Sequence, residues 1–300
     1  MKIVVTGATG FIGRHVAQRM VQVGHDVYCI VRPTSNCGVL PKRAKVVMPH
    51  DNGELYDLMQ RIRPDVVVHI AGMFLGEHTE QTIQQMLHSN IDFPVILLDA
   101  AVSAGCKRVV NTGSYWQYFE SDVYCPVNLY AATKQAFEDV LAYYVETKGV
   151  SVVDLMLFDV YGYGDTRRKV LNLVADLKDG ESMAMSPGNQ ELFFCYVEDV
   201  VDAYMCAMEM VHSFGDGECV KYAVRDREPI RLRDFIEMYL DIVGKNVVLR
   251  WGDLSYRKRE IMNPRNIGEI LPGWRPKYSL KEGLLKYAEG GTINGDNTGW

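Results

Sequence analysis

Length, composition and charge exclude several classes of protein. The chain has 300 residues, of which 48% are apolar and 23% are charged, and this composition excludes a disordered chain. A formal net charge of −6 gives no general attraction to nucleic acid or to an acidic membrane. No apolar run approaches the roughly 18 residues that a membrane helix needs.

Cysteine usage and the start of the chain indicate the compartment. The seven cysteines are scattered, and no two have the C-x-x-C spacing of a zinc site, so we expect neither a disulfide framework nor a bound metal. Met1 and Lys2 lead directly into an apolar strand, which leaves no room for a signal peptide. These features predict a cytoplasmic globular protein.

Strands and helices alternate along the first 160 residues. Short β-branched and apolar runs predict strands at residues 3–5, 27–31, 45–48, 66–70 and 107–111. Apolar residues at helical spacing predict helices at 11–23, 55–62 and 79–104, and from Tyr130 onward. This alternation predicts an α/β fold: right-handed βαβ units that form a doubly wound parallel sheet covered on both faces.

The pattern is less regular after residue 160. Helices are predicted at 169–179, 197–210 and 232–242, with strands at 151–157 and 217–224. Residues 225–233 are charged and contain a proline, so they are predicted to form a surface connection. Residues 289–300 are rich in Gly, Asn and Thr and are predicted to be a disordered tail.

A glycine-rich turn joins the first strand to the first helix. Gly7 permits a tight turn, Gly10 lets the backbone approach a pyrophosphate, and Gly13 allows close packing of helix on strand. The start of the helix, with Phe11 and Ile12, would present free N–H groups and a positive dipole end to that anion. The turn therefore predicts a dinucleotide site; the alternative is an ordinary structural turn.

The end of the second strand indicates which dinucleotide binds. In this type of site an acidic residue selects NAD through the ribose 2′-hydroxyl, whereas an arginine accommodates the 2′-phosphate of NADP. The sequence has Arg32 here with Ser35 close behind, and no acidic residue, which favours NADP. The alternative is that Arg32 is a solvated residue at a strand end.

Three residues form a candidate catalytic set. Ser114 follows a buried strand at the end where parallel sheets bind ligands, and Tyr130 and Lys134 lie four residues apart on one helix face. A cation one turn away would stabilise the phenolate and lower the Tyr130 pKa, while Ser114 would hold the reacting oxygen. The alternative is a tyrosine packed between helices, with Lys134 in water.

The glycine turn, Ser114 and the Tyr130–Lys134 pair resemble the extended short-chain dehydrogenase/reductase family, also called the NAD-dependent epimerase/dehydratase family. Segments around Asp199 and Trp274 resemble that family's "hydrophobic-V-x-D-V" and "L-G-W-x-P" motifs. The resemblance implies a Rossmann-type domain, residues 1–160 with 190–225 returning to it. It also implies a nucleotide-sugar-binding region at 161–189 and 226–288, and a homodimer. The further cofactor contacts it implies are Asp51, Ala71, Gly72 and Asn90, together with Tyr130 and with Lys134, which would hold the nicotinamide ribose.

Within the family, residues 111–117, 126–135 and 256–260 resemble the CDP-abequose and CDP-paratose synthase type of 4-ketoreductase. The chain has Tyr115 and Trp116 where the dehydratase branch carries carboxylates, which disfavours dehydration. Asp159 occupies a region where relatives often have Arg or Asn. The expected substrate contacts are Ser114, Tyr115, Trp116, Arg167, Arg168 and Arg257.

The predicted function is therefore reduction, with NADPH, of the 4-keto group of a nucleotide-linked 4-keto-6-deoxyhexose. One alternative is a nucleotide-sugar epimerase that retains tightly bound NAD, which Arg32 disfavours. A second alternative is a non-catalytic dinucleotide-binding protein, which the presence of both Tyr130 and Lys134 disfavours.

Overall fold

The computed structural model describes residues 1–265 and 267–290, which contain both strands and helices in alternation. The strands are β1 (Lys2–Thr6), β2 (Asp26–Ile30), β3 (Lys45–Val47), β4 (Val66–His69), β5 (Arg108–Ser114), β6 (Ser151–Leu157), β7 (Asp159–Tyr161), β8 (Ser182–Met185), β9 (Glu191–Leu192), β10 (Phe194–Tyr196), β11 (Cys219–Val224), β12 (Ile230–Arg231) and β13 (Val248–Trp251). The α-helices are α1 (Phe11–Gln22), α2 (Asn52–Ile62), α3 (Glu80–Leu87), α4 (Phe93–Ser103), α5 (Leu129–Lys148), α6 (Val170–Asp176), α7 (Val197–Ser213), α8 (Leu232–Val243) and α9 (Leu280–Ala288).

Seven parallel strands form the central sheet in the order β11-β6-β5-β4-β1-β2-β3. Alternate residues of β1 face opposite sides: Ile3 and Val5 pack in the core shared with α1 and α7, and Val4 packs in the core shared with α2 and α4. Helices therefore cover both faces, which confirms the predicted Rossmann-type, doubly wound sheet.

The smaller elements after residue 158 form three two-stranded sheets: β7 with β10, β8 with β13, and β9 with β12. The two motif segments that resemble the family meet here. The Trp274 indole Nε1 donates to the Asp199 carbonyl oxygen at 2.8 Å, and the Asp199 carboxylate accepts from the Lys277 backbone N–H at 2.8 Å. These bonds attach the C-terminal segment to the start of α7.

The structure refines one sequence prediction and corrects another. Residues 80–103 are helical throughout, as predicted for 79–104, but a π-helical turn at His88–Asp92 lies between α3 and α4. Residues 225–233 are not simply a surface connection: Arg225 is buried, with its guanidinium 4.6 Å from the centre of the Phe193 ring, and Ile230–Arg231 form β12. The aromatic surroundings explain how a charged side chain is buried here.

Several elements were not predicted, including β7 to β10, β12, β13 and α9, most of which are very short. The predicted tail begins with Glu289 and Gly290, which follow α9, and its remaining ten residues lie outside the described residues. Within residues 1–265 and 267–290, no helix combines the length and the apolar character needed to cross a membrane.

Candidate active site

The C-terminal ends of β1, β4 and β5 bring the predicted site residues to one edge of the sheet. Gly7 follows β1, Ala71 and Gly72 follow β4, and Ser114 ends β5. Ala71 is held to β1 by its backbone N–H, which donates to the Thr6 hydroxyl at 3.3 Å. In open α/β sheets, ligands bind outside this edge.

The glycine turn has the geometry of a phosphate cradle. Gly7 has a φ of +70°, and a Cβ atom there would lie 2.6 Å from the Ala71 nitrogen. A Cβ atom on Gly13 would overlap the Gly7 carbonyl oxygen, so neither position accepts a larger residue. Gly10 is the N-cap residue of α1, and no side chain caps the helix. The first N–H groups of α1 are therefore available to an anion, and the turn fits a dinucleotide pyrophosphate.

Phe11 connects this turn to the loop after β7. The Arg167 guanidinium lies 4.7 Å from the centre of the Phe11 ring and pairs with Asp165 through two bonds of 2.7 Å. Arg14 donates to the Gly164 carbonyl oxygen, which attaches the same loop to α1. Arg167 thus lies beside the glycine turn, and one edge of its guanidinium is bonded to Asp165. Arg168 is exposed.

The loop after β2 is shaped by Arg32 and Ser35. The Ser35 hydroxyl accepts from the Arg32 backbone N–H at 3.2 Å, and the Arg32 side chain is exposed. Among the described residues, no carboxylate forms an ion pair with this guanidinium. Asp51 caps α2 by accepting from the Glu54 N–H at 2.9 Å.

Asn90 lies in the π-helical turn and is buried. Its side-chain oxygen accepts from the Met73 N–H at 2.7 Å, and its amide donates to the Thr133 hydroxyl at 2.9 Å. The π turn therefore directs a polar side chain between the loop after β4 and α5. Turns of this kind occur often at functional sites.

Ser114, Tyr130 and Lys134 meet at the start of α5. This helix begins after Asn128, whose side chain accepts from the Ala131 N–H at 3.0 Å. Ser114 and Lys134 are buried; the Ser114 hydroxyl accepts from the Trp116 N–H at 3.3 Å and lies beside Tyr130, whose pKa it lowers. The ammonium group of Lys134 points to the loop after β4: a Cβ atom on Gly72 would lie 3.3 Å from its Nζ.

The Tyr130 pKa differs from the prediction. Burial raises it to about 12, against the hydrogen bond from Ser114 and the charge of Arg167. Burial also lowers the Lys134 pKa to about 8, against the charges of Asp154 and Glu138. The predicted net lowering of the Tyr130 pKa is therefore not found: desolvation of the phenol is the largest influence, and the cation that opposes it is Arg167 rather than Lys134.

Aromatic rings form a wall beside Tyr130. The Phe74 ring packs edge-on against Tyr130 and Trp116, with centroid distances of 5.0 and 5.1 Å. Arg257 lies 4.9 Å from the centre of the Trp116 ring and pairs with Glu260 through bonds of 2.7 and 2.6 Å. Phe74 could not be predicted from the sequence, because a single aromatic residue in an irregular segment carries no motif.

Asp159 holds Tyr115, the aromatic residue next to Trp116 of this wall. Its carboxylate accepts from the Tyr115 hydroxyl at 2.6 Å and lies 3.5 Å from Lys169 Nζ. Tyr115 in turn stacks on Phe158 at 4.7 Å. The structure therefore gives a reason for an aspartate at position 159: it holds the residue that follows Ser114.

The fold and the glycine turn define a Rossmann-type dinucleotide-binding protein. Residues 3–223 match the family described as the NAD dependent epimerase/dehydratase family. The chain belongs to this family of enzymes, which confirms the resemblance found from the motifs.

Individual relatives have related names. The chain is 27% identical to the CDP-abequose synthase of Salmonella typhimurium, over 94% of this chain and 95% of that protein. Its fold is similar to the UDP-glucose 4-epimerase of Thermotoga maritima with UDP-glucose (21% identity, TM-score 0.81, 97% and 98% of the two chains). The fold is also similar to the UDP-glucose 4-epimerase of Stenotrophomonas maltophila with bound NAD and formylated UDP-arabinopyranose (19% identity, TM-score 0.83, 97% and 98% of the two chains).

Proposed function

We propose that the protein reduces the 4-keto group of a nucleotide-linked 4-keto-6-deoxyhexose with NADPH. The observation that carries the proposal is the Ser114–Tyr130–Lys134 set at the sheet edge beside the glycine cradle. Tyr115 and Trp116 follow Ser114, where a dehydratase would keep carboxylates. The name of the Salmonella relative supports a nucleotide deoxysugar as the substrate.

The bound dinucleotide would supply a hydride to the sugar carbonyl carbon. Ser114 and Tyr130 would donate hydrogen bonds to the carbonyl oxygen, where negative charge develops. With a pKa of about 12, Tyr130 holds its proton at neutral pH and can transfer it to the newly formed alkoxide. Lys134, protonated below pH 8, stabilises negative charge at this end of the site.

The substrate would lie between the aromatic wall and the proposed sugar-nucleotide region at 161–189 and 226–288. Arg257 has the strongest support as a phosphate ligand, since it lies over Trp116 with its Nη1 directed toward Gly76. Phe74 and Trp116 offer an apolar surface that suits a methyl group better than a hydroxymethyl group. Arg167 and Arg168 would contribute positive charge on the cofactor side.

The choice of NADPH depends on Arg32 and Ser35. The exposed Arg32 guanidinium is at the strand end where a 2′-phosphate would lie, and no carboxylate of the described residues competes for it. The remaining proposed cofactor contacts are Asp51, Ala71, Gly72 and Asn90. We also propose that the protein is cytoplasmic and forms a homodimer. Sedimentation of the purified protein would test the homodimer.

An epimerase is the second candidate, because the similar solved structures include UDP-glucose 4-epimerases, one of them with bound NAD. An epimerase that oxidises and re-reduces the same carbon retains its NAD, whereas a reductase exchanges its cofactor. Purified protein is denatured and any released nucleotide identified, and a panel of CDP-, dTDP- and GDP-4-keto-6-deoxy sugars is then assayed with NADPH. Stoichiometric NAD, with isomerisation and no NADPH oxidation, would favour the epimerase.

A further inference from the structure

A buried group of charged side chains lies behind the catalytic set, and the proposed mechanism does not use it. Glu138 from α5, Asp154 from β6 and Lys221 from β11 meet at the sheet. Lys221 Nζ lies 2.6 Å from Glu138 Oε2 and 3.5 Å from Asp154 Oδ2. The two carboxylate side chains are only 15% and 6% exposed, so water screens their charges weakly.

Hydrogen bonds connect this group to Ser114. The fully buried Gln117 accepts from the Ser114 backbone N–H at 2.9 Å and donates to Glu138 Oε1 at 2.8 Å. Asp154 Oδ1 accepts from the Asn111 amide at 2.6 Å on the same strand as Ser114. The strand end that carries the catalytic serine is therefore attached to both carboxylates.

Gly113 leaves the space in which the two carboxylates approach β5. A Cβ atom on Gly113 would lie 2.9 Å from Asp154 Oδ2 and 3.2 Å from Glu138 Oε1. Asp154 Oδ2 is buried and has no hydrogen-bond partner among the described residues, although the Lys221 ammonium is 3.5 Å away. Burial of this kind is costly unless the surrounding positive charge compensates for it.

Lys134 is the second cation near the two carboxylates. It precedes Glu138 by one helical turn on α5, and the charges of Asp154 and Glu138 both raise its pKa, against burial. The side of Lys134 toward β4 carries Gly72, Asn90 and the buried His69, whose pKa of about 3 keeps the imidazole neutral. Glu138 and Asp154 are thus the negative charges that favour a protonated Lys134.

The other titratable groups around Glu138 are a tyrosine on the far side of Lys221, a second tyrosine and a cysteine, and none of them adds a positive charge. Burial and Asp154 raise the Glu138 pKa to about 7, and Lys221 opposes them. Tyr118 lies on the far side, 3.2 Å from Lys221 Nζ, and the thiol of Cys219 and the phenol of Tyr124 also lie near the pair. Two carboxylates and two lysines balance only while Lys134 carries its proton.

We propose that Glu138 is a positioning residue for the reaction: together with Asp154, it keeps Lys134 protonated, and through Gln117 it fixes Ser114. This deepens the proposed function and rests on it for its catalytic part. Glu138 touches neither substrate nor cofactor, so it acts through Lys134 and Ser114. Lys221, 2.6 Å from Glu138 Oε2, favours the ionised carboxylate and so supports a negative charge one helical turn from Lys134.

The test measures the protonation of Lys134 directly, without substrate. Lysines are labelled with carbon-13 at Cε, the Lys134 resonance is assigned by its loss in Lys134→Arg, and its chemical shift is followed against pH. In the unaltered protein the midpoint is expected near pH 8. Glu138→Gln removes one negative charge, so the midpoint should fall by about one pH unit. The alkaline limit of kcat should move by the same amount.

Controls distinguish charge from structure. Glu138→Asp keeps the charge and should keep the midpoint within a few tenths of a unit. Glu146→Gln removes an exposed carboxylate from the same helix and should change neither the midpoint nor kcat. Asp154→Asn removes the second carboxylate and should also lower the midpoint, which provides the test if Glu138→Gln does not fold.

An unchanged Lys134 midpoint in Glu138→Gln, or in Asp154→Asn where only that variant folds, would overturn the inference. A lower melting temperature with that same midpoint would give Glu138 a structural role only. The titration needs no substrate, so the two proposals can fail separately. If the midpoint falls but no nucleotide sugar is reduced, the charge network stands and the proposed function is wrong.

Discussion

The cofactor turn and the Arg257 region are both proposed to hold phosphate, but they are built in different ways. The turn uses backbone: Gly7 and Gly13 leave no space for a side chain, and α1 begins without a side-chain cap. The Arg257 region uses side chains, with the guanidinium paired to Glu260 and placed over Trp116. The backbone site needs positions without a Cβ atom. The side-chain site needs a guanidinium that can bind a phosphate in addition to, or in place of, its carboxylate partner.

This difference explains which variants should fail by steric overlap and which should fail only in binding. Changes in the backbone site should reduce stability and cofactor binding together. Changes in the side-chain site should reduce substrate binding and leave the fold intact. Tyr130, the proposed proton donor, should show the largest effect of all, on turnover alone.

Replacing Tyr130 with phenylalanine removes the proton donor and keeps the ring that packs against Phe74. We expect kcat to fall by roughly 10²–10⁴, with the melting temperature nearly unchanged. Steady-state kinetics and thermal unfolding measure the two quantities. Phe74→Leu serves as the control for packing, and it should reduce kcat far less. Turnover close to that of the unaltered protein in Tyr130→Phe would eliminate this residue as the acid.

Gly13→Ala tests the backbone site. The new Cβ atom would overlap the Gly7 carbonyl oxygen, so α1 must move away from β1, at a cost of about 3 kcal/mol in the free energy of unfolding. NADPH binding should be lost in the same variant. Chemical denaturation and fluorescence titration with NADPH measure both effects.

Gly24→Ala is the matched control at the other end of α1. Gly24 has a φ of +90° but nothing within 4 Å of a Cβ atom, so alanine there should cost about 1–2 kcal/mol through backbone strain. Its NADPH affinity should not change. Equal stability losses in the two variants, with NADPH affinity retained in both, would contradict the account of the turn.

Arg257→Ala tests the side-chain site. We expect nucleotide-sugar binding to weaken by about 1.5–3 kcal/mol, the value of a hydrogen bond to a charged group, while NADPH binding is unchanged. Calorimetric titration of each ligand measures both. Arg231→Ala is the matched control, because Arg231 pairs with Asp234 through the same two guanidinium nitrogens. If Arg257→Ala binds the sugar nucleotide as well as the control does, Arg257 is only a surface residue.

The smallest effect is expected for Arg32→Asp. Because Arg32 is exposed, solvent and salt weaken its attraction to a 2′-phosphate, and the preference for NADPH should fall by about tenfold to thirtyfold. The ratio of kcat/KM for NADPH and NADH measures this preference. Arg43→Asp makes the same charge change at another exposed position and should leave the ratio as it was. A protein that already prefers NADH before mutation would refute the role of Arg32.

The same contrast explains what the sequence could predict. The glycine turn and the Tyr130–Lys134 pair are local, because their spacing along the chain is their spacing in the structure. The strands from β1 to β6 were predicted for a similar reason, since most of them contain a short run of buried apolar residues.

The features that were missed depend on distant partners. Lys221 meets Glu138 across 83 residues, and Arg225 is buried because Phe193 and Phe158 surround it. No local pattern encodes these pairings, which follow only from the strand order. The π-helical turn at Asn90 was missed because its apolar spacing continues the helical pattern on both sides.

The most direct test of the proposed 4-keto reduction follows the hydride from NADPH to the sugar. NADPH carrying deuterium at the nicotinamide C4 is incubated with the enzyme and a CDP-4-keto-6-deoxyhexose, and the product is examined by mass spectrometry and NMR. We expect one NADPH to be oxidised for each sugar reduced, with the deuterium at C4 of the hexose. A product formed without NADPH oxidation and without deuterium at C4 would contradict it.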